Sequence, residues 1–327
     1  MEKKKKRLII IDSNSIIHRA YHALPPLTTK KGELVSAVYG FLLVFLKVIR
    51  EFQPDYIAAC FDVPGPTFRH KKFKEYKAKR PPTPKELYQQ IPKVKEILKA
   101  FQVQVFEKES FEADDLIGTI ARLAPKKFTP YRNEVSGAEQ VLPGIETIIL
   151  SGDLDTLQLV NPQTKVYFLR KGVKDVVLYD VAEVEKKYGI SPSQLLDFKA
   201  LRGDPSDNIP GVAGIGEKTA IKLIKKFKNI ENLYEQLEEQ NRDIEELKPK
   251  LRNLLLSQKK QAFLSKNLVQ IRNNVPIGFE FKKCQFGNFN RKNLESLLLN
   301  FEFYSLIKKL SNPQNDSAVI EQNLKLW

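Results

Sequence analysis

Cysteine and histidine are scarce in this 327-residue sequence, which holds two of the first and three of the second. Cys60 and Cys284 stand far apart with no CxxC spacing, so neither a disulfide framework nor a thiolate zinc site is supported. Cys60 lies inside an apolar run and reads as a small buried hydrophobe. His18, His22 and His70 fall in no nucleophile or zinc motif, which leaves them structural or phosphate-facing roles and leaves covalent catalysis without support. Long apolar runs are missing too. The best, Val38 to Ile49, is shorter than the roughly 18 residues of a membrane span and is interrupted by Lys47. The basic segment up to Arg7 leads straight into a strand, unlike a signal peptide. No membrane association is expected, and the cytoplasm is the expected location. Internal repeats are absent, as are low-complexity tracts beyond the basic run at residues 3 to 7.

What is present begins with charge. The net charge is +15, and setting aside nine clustered acids takes the rest of the chain to +24, a basic body around an acidic pit that suits a polyanion. The length suggests about two domains. Apolar runs near residues 7 to 11, 56 to 61, 102 to 106, 146 to 150 and 165 to 169 alternate with helical periodicity at Ala37 to Phe52 and Leu87 to Ala100. That alternation predicts an α/β unit over residues 1 to 171, a parallel sheet flanked by helices. From about residue 180 helical segments take over, opening at Ser191-Pro192, at Thr219 to Phe227 and at Arg291 to Leu310, so residues 172 to 327 read as a mainly helical domain. Ala124 to Gly144, with three prolines and two glycines, reads as an inserted surface loop, and Ser311 to Trp327 as a loose tail.

The nine acids sit where strands and turns end. LIIID breaks off at Asp12, YIAACFD at Asp62, and TIILSGDLD at Asp153 and Asp155, while Glu112, Asp114 and Asp115 open a helix and Asp204 and Asp207 close a glycine turn. In an open α/β sheet such strand ends share one crevice. Carboxylates in a helix's first turn are favoured by about 0.3 to 1 kcal/mol each. Two unit charges at 4 Å repel by about 1 kcal/mol in water and about 4 at an effective dielectric of 20, so helix dipoles do not hold seven or more acids together. Divalent cations do. An all-oxygen donor set favours Mg²⁺, with Mn²⁺ as substitute, and a pair of ions about 3.5 to 4 Å apart suits in-line phosphoryl displacement by activated water.

Phe68 to Arg80 reads FRHKKFKEYKAKR. Arg69, Lys71, Lys72 and Lys74 are candidates to hold phosphates, while Phe68, Phe73 and Tyr76 offer faces to unpaired bases. The segment's place just after Asp62 suggests a gate over the metals, spanning about 68 to 100. The run from Pro210 to Ala220 lacks the contiguous Gly-Lys-Thr of an ATPase loop, because Glu217 separates Gly216 from Lys218. It reads instead as a tight turn, Gly211, Gly214 and Gly216, feeding a helix at Lys218 and Thr219 whose amides grip DNA phosphates without reading sequence.

Taken together, RAYHALPPLTTKKGE after Asp12, VYGF, the FD at Asp62, FRHKKFKEYKAKR, FEADD, SGDLDTLQLV and LRGDPSDNIPGVAGIGEKTA resemble the 5′ nuclease domain of bacterial DNA polymerase I, within the flap endonuclease superfamily. The match runs in family order to about residue 235 and more weakly to about 310. It implies a PIN-like sheet, a C-terminal domain with a helix-hairpin-helix at about 195 to 235, and metal-dependent 5′-3′ hydrolysis of branched, flapped or nicked duplex DNA in replication and repair. By motif position Asp12, Asp62, Glu112 and Asp114 would hold one Mg²⁺, with Asp115 beside them. Asp153, Asp155 and Asp207 would hold the second, with Asp204 acting through water. Lys77 and Arg80 match residues that position the scissile phosphate, and the hairpin matches one that can carry K⁺. The sequence departs from the family in having no polymerase after Trp327, so a free-standing nuclease is expected, as a monomer and with a separate DNA polymerase as partner. A junction-binding protein without catalysis and a PIN-type RNA nuclease are the alternatives.

Overall fold

A computed structural model describes residues 5–127, 144–172, 174–239 and 247–311. Six strands form one sheet: β1 (Arg7–Asp12), β2 (Tyr56–Cys60), β3 (Gln104–Phe106), β4 (Glu146–Ser151), β5 (Thr164–Lys171) and β6 (Asp175–Tyr179). Their order is β3-β2-β1-β4-β5-β6, parallel except for the β5–β6 edge. The chain leaves β1 towards β2 and β3 on one side, then returns to place β4 on the other. The resulting switch point lies between β1 and β4, and ligand crevices of α/β sheets open there, at the carboxyl ends.

Period-two alternation divides the core. Ile9 and Ile11 of β1, with Ile57, Ala59, Ile148 and Leu150, face α1 (Ser13–Ala23), α2 (Ser36–Phe52), α4 (Lys85–Tyr88) and α5 (Ile91–Ala100). Leu8 and Ile10, with Ala58, Cys60, Ile149 and Val166, face α6 (Ala113–Lys127). That second cluster continues without a break through α7 (Val181–Tyr188), α8 (Leu195–Arg202), α9 (Glu217–Phe227), α10 (Ile230–Glu238), α11 (Pro249–Ser257) and α12 (Lys259–Val269). The short basic helix α3 (Phe68–Lys72) bridges the two units, its Arg69 donating to Asp115 of α6 and to the Leu268 carbonyl of α12, and α13 (Phe281–Cys284) leans on β2. The last helices, α14 (Arg291–Asn300) and α15 (Tyr304–Ser311), cross back and bury Leu294, Leu298 and Leu306 against the α2/α5 side. Helices expected in one C-terminal unit thus pack on both faces of the sheet.

Several boundaries differ from the sequence reading. β6 carries the sheet past residue 171; it is a short edge strand with mixed exposure, so it lacks the aliphatic run of the central strands. The helix expected over Leu87 to Ala100 is two, interrupted at Gln89 and Gln90 before Pro92, and that over Arg291 to Leu310 breaks at Phe301 to Phe303. Ala124 to Lys127 of the expected insertion continue α6; residues 128–143, and residues 312–327 of the expected tail, lie outside the described residues. Among the described residues no helix is long and apolar enough to cross a membrane.

If α14 belongs to the core, Leu298→Ala, at a fully buried position, should cost about 2–5 kcal/mol. Urea unfolding checks this, and an unchanged midpoint would detach α14 from the cooperative unit.

Candidate functional site

The ends of β1 and β4 are stitched together across the switch point. Asp12 is 4% exposed and caps α1, accepting from the Ser15 amide at 3.3 Å and from Ser151 Oγ at 2.6 Å. Ser151 Oγ in turn accepts from the Asp153 amide at 2.9 Å, and the Gly152 amide donates to Ser15 Oγ at 2.7 Å. Gly152 leaves room for Arg19, which donates to the Gly152 carbonyl; a β-carbon there would fall 2.6 Å from Arg19 Nε and push that side chain aside. Asp153 caps a 3-10 turn over Leu154–Leu159 by accepting from the Asp155 amide at 2.8 Å.

Two more elements bring acids to the same edge. Asp62, exposed beyond β2, accepts from the Ala113 amide at 2.8 Å, which joins it to the N-terminus of α6. Glu112 and Asp114 flank that amide. Asp12, Asp62, Glu112, Asp114 and Asp153 line a cleft of about 700 Å³, with Lys77, Arg80 and His18 among its other walls. Of the expected ligands, the cleft brings these five together.

Asp155, Asp204 and Asp207 stand beside it, each held by a cation of the chain. Lys199 of α8 binds Asp155 and also Asp204, the latter at 2.8 Å. Asp204 caps a 3-10 turn over Pro205–Asp207, accepting from the Ser206 amide and from Ser206 Oγ at 2.6 Å. This loop closes tightly: a β-carbon on Gly211 would fall 2.3 Å from the Gly203 nitrogen, and both glycines have positive φ. Asp207 pairs with Arg80 and accepts from Tyr76 Oη at 3.0 Å, while Lys77 Nζ lies 3.0 Å from Glu112. With its acids so occupied, the site holds no ready chelate: among the described residues no three acidic, histidine or cysteine side chains converge closely enough to hold an ion as they stand.

The electrostatics show a site short of positive charge. Burial, reinforced by Asp62 and Asp153, pushes the Asp12 carboxyl up to about 7 against the donation from Ser151. Asp114, desolvated and facing Asp12, Asp153, Asp155 and Glu112, is raised well above the usual range. Asp155 is also pushed up to about 7 by burial, although Lys199 opposes this. At Asp204 burial is outweighed by Lys199 and Ser206, and the carboxyl stays low. Desolvation and His22 hold the His18 imidazole below its ordinary value, which favours its neutral form. An all-oxygen donor set in a partly desolvated cleft, without thiolate or imidazole in the acid cluster, fits a hard divalent cation.

Three sequence expectations are corrected by burial. Asp115 is 0% exposed and faces away from the cleft, its carboxylate taken by a bidentate Arg69 guanidinium at 2.7 and 2.8 Å and by the amides of Arg272 and Glu112. Arg69 is 2% exposed and also donates to the carbonyls of Leu268 and Gln270, so it has no reach towards DNA. Tyr76 is buried with its hydroxyl between Glu112 and Asp207, and Phe68 lies under the guanidiniums of Arg69 and Arg272, so neither presents a face to bases. The segment is pinned rather than hinged: the Lys77 amide donates to Asp207 and Asn208 Nδ2 donates to the Glu75 carbonyl. Lys71, Lys72 and Lys74 are exposed. In the hairpin Gly214, Gly216 and Lys218 are exposed and Thr219 half-buried, whereas Gly211 is buried.

Sequence reasoning missed Ser151, Arg19 and Lys199, and also Asn14, whose Oδ1 accepts from the Asp62 amide at 3.0 Å. Ser151 lies within the SGDLD run itself, and Lys199 stands five residues before Asp204, a spacing no motif in the reading used.

Comparison with known proteins gives a consistent result. The family model for the N-terminal resolvase-like domain of 5′-3′ exonucleases matches residues 7–189, and that for their C-terminal SAM fold matches 190–292. The chain is 40% identical over 323 residues to DNA polymerase I of Bacillus subtilis (strain 168), covering 99% of this chain and 34% of the relative. It thus spans about a third of the length of the curated relatives it matches. Among solved structures, the T5 D15 protein co-crystallised with metal ions aligns with a TM-score of 0.64 at 17% identity, covering 81% of this chain and 90% of that one. The catalytic core of Rad2 in complex with DNA substrate aligns at 0.55 and 17%, covering 94% and 91%. At these identities the two structures share the fold.

The Asp12 shift sets a stability test. Its folded value near 7 lies above the ordinary 3.8, so the folded state keeps a proton that the unfolded chain releases, and stability falls as pH rises through that window. In chelator at pH 8, Asp12→Asn should raise the melting temperature by roughly 2–5 °C, with the gain shrinking towards pH 4. A gain independent of pH would remove carboxylate repulsion as its cause.

Proposed function

Because the chain belongs to the 5′-3′ exonuclease family, we propose that it is a structure-specific 5′ nuclease that hydrolyses phosphodiesters of flapped, branched or nicked duplex DNA. The observation that carries this reading is the convergence of acids from four separate elements at the β1/β4 switch point, with Lys77 and Arg80 on the facing wall.

In this reading Asp12, Asp62, Glu112 and Asp114 hold one Mg²⁺ and Asp153, Asp155 and Asp207 the other, with Asp204 behind them. Bound Mg²⁺ supplies an acidified water and neutralises charge on the reacting phosphate. The chain's own residues do the rest. Asp12 and Asp153 are fixed by Ser151, so two acids of different strands keep one spacing. Lys77 and Arg80 present cations to the phosphate from a segment pinned at both ends, a rigid wall in place of a gate. The exposed amides at Gly214 and Gly216 and the cation of Lys218 grip a backbone phosphate farther along the duplex. Similarity to DNA polymerase I supports a role in removing 5′ flaps during replication and repair. The ion pairs of Lys199 and Arg80 with the acids favour one other reading, a junction-binding protein without catalysis.

Incubation with labelled 5′-flap DNA separates the two. Cleavage is expected with Mg²⁺, none with EDTA, and a loss of roughly 10²-fold or more for Asp153→Asn. Binding without cutting would leave the junction-binding reading. For the phosphate wall, Lys77→Ala should slow single-turnover cleavage by about 10²-fold while duplex affinity changes by less than about threefold. Equal losses in both would make the segment a general DNA clamp.

A further inference from the structure

We propose that Lys199 is the molecule's built-in counter-cation for Asp155 and Asp204, and that by competing with a divalent ion for those carboxylates it makes theirs the weaker of two ion sites. The inference rests on the two-ion reading above and goes beyond it by assigning unequal affinities and their cause.

The geometry is specific. Asp155 comes from the sheet unit, on the turn after β4; Asp204 comes from the helical unit, in the loop after α8. Lys199 reaches both from the last turn of α8, and its side chain is 16% exposed. Gly203, at a φ of 80°, turns the chain so that the Asp204 carboxylate folds back over α8. Ser206 occupies Asp204 Oδ1 through its amide and hydroxyl, which leaves Oδ2 for Lys199. The ammonium thus sits between the two carboxylates, where a bridging cation would sit.

The contrast with Asp12 gives the asymmetry. Its carboxylate is met by the Ser15 amide and the Ser151 hydroxyl, and that of Asp62 by the Ala113 amide, neutral donors that oppose an arriving cation by no net charge. Glu112 has cation partners, Lys77 at 3.0 Å and Arg69 at 3.5 Å, whereas Asp155 and Asp204 are both held by one ammonium. An ion approaching Asp155 and Asp204 meets a like charge at ion-pair distance, sheltered from solvent screening. It has to displace the ammonium or share the site with it. Both reduce affinity, and in the metal-free protein the same ammonium holds the two units' acids together.

The test is Mn²⁺ binding to the full chain without DNA, read by the paramagnetic resonance of free Mn²⁺ and by calorimetry. Wild type is expected to bind two ions unequally. Lys199→Met, which keeps the stem and removes the charge, should tighten the weaker site about tenfold, leave the stronger unmoved, and melt below wild type in chelator. Lys199→Arg should keep the wild-type profile, and Lys199→Gln repeats the measurement should the methionine variant not fold. Tightening in a wild type that shows only one ion, so that the second appears in the variant, also supports the proposal. A second site unchanged or weakened by Lys199→Met overturns it and leaves Lys199 a structural tie. No divalent uptake by wild type or variants overturns the two-ion reading itself, so the two failures are distinguishable.

Discussion

Mutual repulsion of carboxylates at one edge of the sheet is the constraint on which the rest of this structure depends. β1 and β4 lie side by side in the sheet, β1 ending at Asp12 and β4 two residues before Asp153. The fold does not spread these charges apart. It ties each to a donor: Asp12 to Ser151 and the start of α1, Asp62 to the start of α6, Asp153 to the turn that follows it. Each tie fixes a direction as well as a charge, and it is direction that makes five acids line one cleft rather than fan into solvent. What remains is a deficit of positive charge, visible in the raised carboxyls of Asp12, Asp114 and Asp155. Such a deficit is stability given up at a site and supplied by the core elsewhere.

The acids also come from two units, so the cleft has meaning only if those units keep one relation. The apolar cluster running from Leu8 and Ile10 to Leu233 and Tyr234 provides the bulk of that connection. Arg69 and Asp115 provide its direction. Their bidentate pair, extended to Leu268, Gln270 and Arg272, ties α3 and α6 to the end of α12 in a buried place. A buried pair of this kind contributes little net stability over an apolar replacement, but removing one partner strands the other at a cost of about 3–5 kcal/mol. Its value lies in register: it holds Lys77 and Arg80 over the acids by fixing the segment that carries them.

Much of this was legible in the sequence, and the limits are physical. Strands buried on both faces, such as Leu8 to Ile11, announce themselves as aliphatic runs, and the aspartate that ends each run marks the crevice. β6 escaped because an edge strand half open to solvent carries no such run. The basic stretch at 68 to 80 was misread in part, since a list of cations cannot show which one turns inward; Arg69 and Lys71 look alike until α12 is placed against them. Asp115 held a usable signal. Adjacent helix positions point about 100° apart, so Asp114 and Asp115 do not face one site, and the first lines the cleft while the second meets Arg69. Lys199 carried none, because its partners lie 44 and 5 residues away and only the fold brings them to one ammonium.

The choice of cations follows from the same deficit. Asp207 and Glu112 are paired with Arg80 and Lys77, and under the proposed function these partners also have the sign and position to meet a DNA phosphate. Breaking a partly buried ion pair is costly when either partner is left bare. Here neither need be: as Lys77 and Arg80 turn from carboxylate to phosphate, the carboxylates they leave are those that would hold the divalent ions, and every charge keeps a partner. Exposure grades the cations for this exchange. Arg80, at 47%, lies open to an arriving strand, whereas Lys199, at 16%, lies behind the acids and away from it. The outer cations are therefore placed to change partners with substrate, while the inner one stays as the fixed charge against which an ion at Asp155 and Asp204 has to compete.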